Sequence, residues 1–285
     1  MNERTTNNFC HSRKIGTSSV RERTTNNGTA MRLILSSLLL IFCSQLLAQQ
    51  QMRYFETQRN NDGNILLFNF IYGGHLPGGD LSERFGPNSS AGGMVEILTQ
   101  NNIIIGSQID FQWGPEVRTD VLASHRDGDG LIFGDDGGIA DIQLRRRGLY
   151  VGGHIGKVIP FAGPNTRSGI RVTVGGGFFQ HKIRVQDDPQ VFVPTLRGDY
   201  KKGYDRLTNG FALTEFIGYQ YLATNRRINF LAGLEMTQGF TQGRRGFNYD
   251  TRTPASGRRL DLLFGFRIGW TLPIYIGENP DEIRY

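Results

Sequence analysis

The sequence predicts an all-β fold: an eight-stranded antiparallel up-and-down transmembrane β-barrel with four long outer loops and three short periplasmic turns. Three observations carry that prediction. In RRLDLLFGFRIGWTLPIY, 258–275, Leu260, Leu262, Phe264, Phe266, Ile268, Trp270 and Leu272 fall at every second position, with Asp261, Leu263, Gly265, Arg267, Gly269 and Thr271 between them. A period of two is the signature of a strand whose faces meet different surroundings. Seven further runs share the pattern, and the connections between runs alternate strictly between long and short, as in a bacterial outer-membrane barrel.

Run one is NILLFNFIYGG, 64–74, with Leu66, Phe68, Phe70 and Tyr72 on one face. Run two, 91–100, alternates less clearly. Run three, 102–114, sets Ile103, Ile105, Ile109, Phe111 and Trp113 against Gly106, Gln108, Asp110 and Gln112. Run four, 148–160, opposes Leu149, Val151 and Ile155 to Tyr150, Gly152, His154 and Gly156. Run five, 168–185, places Ile170, Val172, Val174 and Phe178 opposite Arg171, Thr173, Gly175 and Gly177. In run six, 210–223, Glu215 shares a face with Phe211, Leu213, Ile217, Tyr219 and Tyr221, which calls for a bulge. Run seven, 228–240, sets Ile228, Phe230, Ala232, Leu234 and Met236 against Asn229, Gly233, Glu235 and Thr237.

The long connections are 75–90, 115–147, 186–209 and 241–258; the short ones are 100–102, 161–167 and 224–227. Run lengths match the ~9–11 residues of a tilted spanning strand. In hydrocarbon every backbone polar group must be paired within the protein, which leaves helices and closed barrels as spanning structures. A soluble lipocalin-type barrel would turn the apolar face inward and the polar face to water. Here the second face is rich in glycine and poor in lysine, which favours the membrane orientation.

The region before the barrel reads as leader. MRLILSSLLLIFCSQLLA, 31–48, has the charged start, short apolar core and small-residue exit of a secretory signal. Residues 1–30, with ERTTNN at 3–8 and again at 22–27, are expected to be a disordered, mis-called N-terminal extension. Residues 49–63 are expected to be a periplasmic segment, 64–276 the outer-membrane barrel and 277–285 a periplasmic tail. Cys43 follows Phe42, a poor site for lipoprotein processing. The formal charge of +6 owes much to the leader, which holds six of the 32 Lys and Arg and two of the 26 Asp and Glu. The remainder carries 26 against 24, so no nucleic-acid footprint is expected. Both cysteines, Cys10 and Cys43, lie in the leader, which excludes disulfide and thiol chemistry from the exported chain.

Eight strands enclose a space just wide enough for side chains to fill. Glu96, Asp110, Arg171, Glu235, Asp261 and Arg267 are therefore expected to pair across the lumen and hold it shut, with bidentate arginine geometry favoured. Tyr200, Tyr204, Arg206, Arg244 and Arg245 are expected to form an aromatic and basic collar facing lipopolysaccharide, with Arg258 and Arg259 consistent with that role. Asp127-Gly-Asp129-Gly opens like a calcium loop, but positions five and twelve are Leu131 and Gly138, so no metal is expected. Arg197-Gly198-Asp199 is too short to count as an adhesive motif. Small barrels can also modify lipid A with a His–Ser pair at the outer rim. His75 and His125 are placed in outer loops, His154 in mid-strand and His181 near a strand end. Ser82, Ser89, Ser90 and Ser124 show no recognisable spacing to them. No catalytic, cofactor-binding or metal-ligating residue is expected.

The segments PGGDLSERFGPN (77–88), GDYKKGYDRLTNG (198–210), RRINFLAGLEMTQGFTQGRRGFNYDT (226–251) and LDLLFGFRIGWTLPIY (260–275) resemble a family of small outer-membrane β-barrel proteins of Bacteroidota. The resemblance covers most of residues 62–277. Its PorG- and PorT-like members imply a place beside the type IX secretion and gliding machinery, and no catalytic residue. The expectation is a non-enzymatic, monomeric, porin-like outer-membrane barrel with a structural or assembly role. Its partners would be outer-membrane lipid, lipopolysaccharide and secretion-machinery proteins. A lipid A deacylase or acyltransferase and a soluble ligand-binding barrel are the alternatives.

Overall fold

The computed structural model describes residues 63–276, apart from residues 189 and 256; the expected extension, signal, N-terminal segment to residue 62 and tail lie outside the described residues. Eight strands form one closed barrel: β1 (Asn64–Gly79), β2 (Asn88–Leu98), β3 (Ile103–Gly114), β4 (Gln143–Pro160), β5 (Gly169–Gln186), β6 (Thr208–Leu222), β7 (Asn229–Gly243) and β8 (Arg258–Ile276). Each pairs antiparallel with its chain neighbours, and β8 closes on β1. Paired residues followed around the ring from Leu76 run through Phe264, Met236, Glu215, Val174, Ile155, Ile105 and Ile97, and return to β1 at Leu66. The stagger between Leu76 and Leu66 is ten residues, and such a shear tilts the strands by ~35–45°.

The outward parity is the apolar one. Phe70, Ile105, Phe111, Ile155, Phe211, Ile217, Leu234, Phe264, Phe266 and Ile268 are all exposed, while Asn69, Asp110, Arg171, Glu235 and Arg267 are buried. A water-soluble barrel has the reverse arrangement. A continuous greasy band around a closed hydrogen-bonded ring is stable against acyl chains, where no backbone group is left unpaired.

Both ends of the lumen are stoppered by apolar side chains. At the short-turn end, Ile65, Leu67, Leu98, Ile104, Val158 and Leu222 form a buried cluster with Tyr275 against it. At the long-loop end, Leu81, Phe85, Val121, Leu122, Ile132, Val193, Leu196 and Tyr204 pack with strand residues Tyr150, Phe179, Ile183 and Leu263 into a cap over the mouth. The first long connection contributes a short helix, α1 (Asp80–Arg84), whose Leu81 is part of that core.

The short turns are locally specified. In the β2–β3 turn Asn102 adopts φ 60°, and Thr99 Oγ1 accepts from Ile103 N at 3.1 Å; asparagine tolerates that left-handed region. Arg167, in the β4–β5 turn, donates to Asn102 Oδ1 at 2.9 Å and to the carbonyls of Gln100 at 3.0 Å and Gly63 at 2.7 Å, tying the floor of the barrel together.

Two expectations need correction. The strands run past the predicted segments toward the loops: β1 continues to Gly79 and β4 begins at Gln143. Above the membrane a strand is freed from the apolar rule, so its alternation fades while its pairing persists. Strand β6 needs no bulge, since Thr208–Leu222 pairs without interruption on both sides. Glu215 points outward with Leu213 and Ile217.

Candidate functional site

The polar lumen gathers the buried side chains of Glu96, Asp110, Arg146, Arg171, Glu235, Asp261 and Arg267 in three tiers. Nearest the floor, Glu96 from β2 is gripped by Arg171 from β5. Arg171 Nη1 donates to Oε2 at 2.9 Å and Nη2 to Oε1, the paired geometry a guanidinium offers a carboxylate. His154 Nε2 lies 2.6 Å from Oε1, and Asn69 Nδ2 donates to Oε2 at 2.7 Å. Gln220 Oε1 accepts from Arg171 at 3.0 Å, and Thr271 Oγ1 donates to Asn69 Oδ1 at 2.6 Å.

In the middle tier Arg267 from β8 pairs with Glu235 from β7, and its Nη2 lies 3.5 Å from Asp110 Oδ2. His75 Nε2 bonds Glu235 Oε1, and Gln108 Nε2 donates to Asp110 Oδ2 at 2.9 Å. Phe216 sits between the lower and middle tiers, with Arg171 and Arg267 each 5.9 Å from its ring centroid. Its ring fits because Gly218 and Gly233 face it. A Cβ on either glycine would meet Phe216 Cζ at 2.6 or 2.8 Å.

The upper tier holds Asp261. His181 Nε2 lies 2.8 Å from its Oδ2, Thr241 Oγ1 donates to the same oxygen, and Arg259 Nε lies 3.4 Å from Oδ1. Arg146 is fully buried beside this tier; its Nη2 donates to Gln112 Oε1 at 2.7 Å and its guanidinium lies 5.3 Å from the Phe85 ring centroid. A guanidinium over an aromatic face gains quadrupole attraction that partly replaces lost hydration.

All six residues expected in the lumen are there, and the structure joins five in two clusters: Glu96 with Arg171, and Asp110 and Glu235 with Arg267. Asp261 stands apart, on His181 and Thr241. The three lumen histidines were not anticipated as members. His75, expected in an outer loop, lies inside β1 on the lumen side. Strand parity identifies each of them: His75 follows Asn69 and Gly73, His154 follows Gly152, and His181 follows Arg171 and Gly177.

The expected collar is divided. Tyr200 is exposed, but Tyr204 is 8% exposed and packs edge-on against His125 and Tyr249 inside the cap. Arg206 pairs with Asp250, Arg245 with Asp205, and Arg244 Nε donates to Asn209 Oδ1 at 2.6 Å. Asp205 holds the Arg245 guanidinium above its ordinary value. Tyr204, Arg206 and Arg245 therefore join loops to one another, because these long connections fold into a core instead of standing solvated.

Nucleophilic machinery is not assembled among the described residues. The three lumen imidazoles each bond a carboxylate with no serine hydrogen-bonded to them. Ser124 Oγ lies 3.3 Å from its neighbour His125 Nδ1, whose Nε2 faces Tyr204 and no acid. Among the described residues no group of three His, Asp or Glu side chains is arranged to hold a metal ion.

No protein-family model matches the chain, and no curated protein matches it either. Solved structures similar to it include Ail, the attachment invasion locus protein of Yersinia pestis, at 8% identity and TM-score 0.37, covering 74% of this chain and 99% of that one. Neisserial surface protein A is similar at 9% identity and TM-score 0.34, over 71% of this chain and 96% of its own. The outer membrane protein OprG of Pseudomonas aeruginosa is similar at 10% identity and TM-score 0.34, over 77% and 100% respectively. At these scores the barrel assignment rests on the strand pairing described above.

Proposed function

We propose that the chain is a non-enzymatic, monomeric barrel of a Gram-negative outer membrane with a structural or assembly role. Its short turns and both termini lie on the periplasmic side, and its cap meets lipopolysaccharide. The observation that carries this reading is the sealed lumen. Glu96 and Arg171 are buried against each other between two apolar stoppers, which supports neither a solute path nor an accessible reactive group. The resemblance to PorG- and PorT-like barrels supports a position beside type IX secretion components.

Affinity capture of the tagged chain from solubilised outer membranes tests the role. Co-purification of secretion components is the expected result, and recovery of the barrel alone would remove the assembly part of the reading. Mass spectrometry of lipid A with and without the gene is expected to show the same acyl pattern; an altered pattern would make the chain an enzyme.

A further inference from the structure

A second polar site lies above the upper tier of the lumen, at the long-loop rim, and shares Arg259 with that tier. A cleft of about 330 Å³ opens between α1, the start of β6 and the last long loop. That size is within the ~300–1,000 Å³ range of small-molecule sites. Four guanidiniums line it, from Arg84, Arg206, Arg258 and Arg259, with one carboxylate, Asp80. Asp250 neutralises Arg206, and Asp261 lies 3.4 Å from Arg259 Nε without hydrogen-bond geometry. Arg84 and Arg258 have no carboxylate of their own among the described residues.

Several donors there are unspent. Arg84 donates through Nη1 alone, to Thr208 Oγ1 at 2.9 Å and Arg206 O at 3.5 Å, so its Nε and Nη2 remain open among the described residues. The Arg258 side chain is exposed and bonds no described residue. The crowding is felt by Arg84, whose pKa is lowered to about 10 by burial and then by the neighbouring charges of Arg259 and Arg206. An oxyanion placed among them would relieve that repulsion and accept their free N–H groups.

The rest of the lining differs in chemistry. Asn248 Oδ1 is buried and receives no donor among the described residues, and the Thr251 and Thr253 hydroxyls, 2.8 Å apart, also line the cleft. An unfilled buried acceptor calls for a hydroxyl or amine donor. The height of the site is set by β8: Arg258 and Arg259 immediately precede Leu260, the first outward apolar residue of that strand. The cleft is thus at the level where hydrocarbon gives way to headgroups.

We propose that this cleft binds a phosphorylated saccharide, its phosphate held by Arg84, Arg258 and Arg259 and its hydroxyls by Asn248 and the paired threonines. The phosphate is carried either by a membrane glycolipid or by a soluble sugar. The glycolipid form of this proposal rests on the lipopolysaccharide contact proposed above; the soluble-sugar form and the assembly role do not depend on that contact.

The full chain in neutral detergent, titrated calorimetrically with glucosamine 1-phosphate and with glucosamine, tests the chemistry. Retention of the chain on vesicles containing phosphorylated or dephosphorylated lipid A tests the source. Phosphate-dependent binding that weakens with added salt is expected in at least one arm. Binding in the lipid arm alone assigns the site to a glycolipid, and binding in the soluble arm alone to a free sugar. Arg84→Gln and Arg258→Gln are each expected to weaken it about tenfold or more, the loss of one charged hydrogen bond. The Arg258 side chain makes no described hydrogen bond, and its backbone pairing with Gln242 survives the substitution, so R258Q retains the barrel. No phosphate dependence in either arm, or R258Q binding like the unaltered chain, would overturn the proposal.

Discussion

Glu96 is held by a guanidinium, an imidazole and an amide, all inside the barrel. Removing one partner of a buried pair strands the other charge in a medium that solvates it poorly. Arg171→Met is therefore expected to cost ~3–5 kcal/mol, and the Glu96→Gln/Arg171→Met double variant distinctly less. Urea unfolding in lipid vesicles measures both, and equal losses would contradict the pairing. Glu215 poses the opposite case. It is the one carboxylate in the outward ring of Leu76, Phe264, Met236, Val174, Ile155, Ile105, Ile97 and Leu66, with Gln238 Nε2 at 3.4 Å. Glu215→Leu is expected to stabilise the barrel in a bilayer, by less than the ~2–4 kcal/mol that an Arg or Lys costs at the midplane. Loss of stability in that variant would contradict a lipid-facing position. At this scale the acids and arginines were legible because each sat on the glycine-bearing parity of its run. His75 and Arg146 are not, because apolar alternation fades beyond Gly74 in run one and before Gly148 in run four. His154 and His181 lie on the glycine parity inside their runs, but chain order does not show which carboxylate each one meets.

The barrel strands were legible as elements because lipid enforces strict alternation over the spanning length. Their extensions were not, because pairing above the membrane leaves no periodic trace. The floor stopper was hidden for a different reason: in β1 both parities are apolar, with Ile65 and Leu67 inward and Leu66 and Phe68 outward. The cap was hidden because its apolar residues are scattered through three connections, as with Phe85 before β2, Val121 and Ile132 between β3 and β4, and Val193 and Tyr204 between β5 and β6. His125 is a sensitive point in that cap, with Nε2 3.4 Å from the Tyr204 hydroxyl and its ring 5.1 Å from the Tyr204 ring. Burial lowers its pKa below the ordinary value of 6.5, so the opened loop takes up a proton more readily than the closed one. The contribution of His125 is then fully present above about pH 6.5 and is lost as pH falls through the lowered folded value. Hydrogen exchange of the 120–140 and 193–206 segments is expected to quicken from pH 7.5 to 5 after correction for intrinsic rates. His125→Gln is expected to flatten that response, and an unchanged response would remove His125 as its source.

For the molecule as a whole, the ring of eight strands, its ten-residue stagger and the two stoppers describe a solid plug that spans a membrane. Reconstituted in a planar bilayer, the chain is expected to show no stepwise conductance, and regular channel openings would contradict the sealed lumen. The topology was legible in the number and order of the runs; the expected alternation of long and short connections fails at the first one, where β1 and β2 extend and leave a connection no longer than the β4–β5 turn. Lumen, cap and rim all depend on the orientation of the apolar face, and the two tryptophans report on it directly. Trp113 and Trp270 are the only ones in the sequence, and both stand outward, 38% and 54% exposed, on β3 and β8. Fluorescence of the chain in vesicles of chain-brominated lipid measures their surroundings. Strong quenching by bromine with little quenching by aqueous acrylamide is the predicted result. Quenching by acrylamide with none by brominated chains would contradict the account.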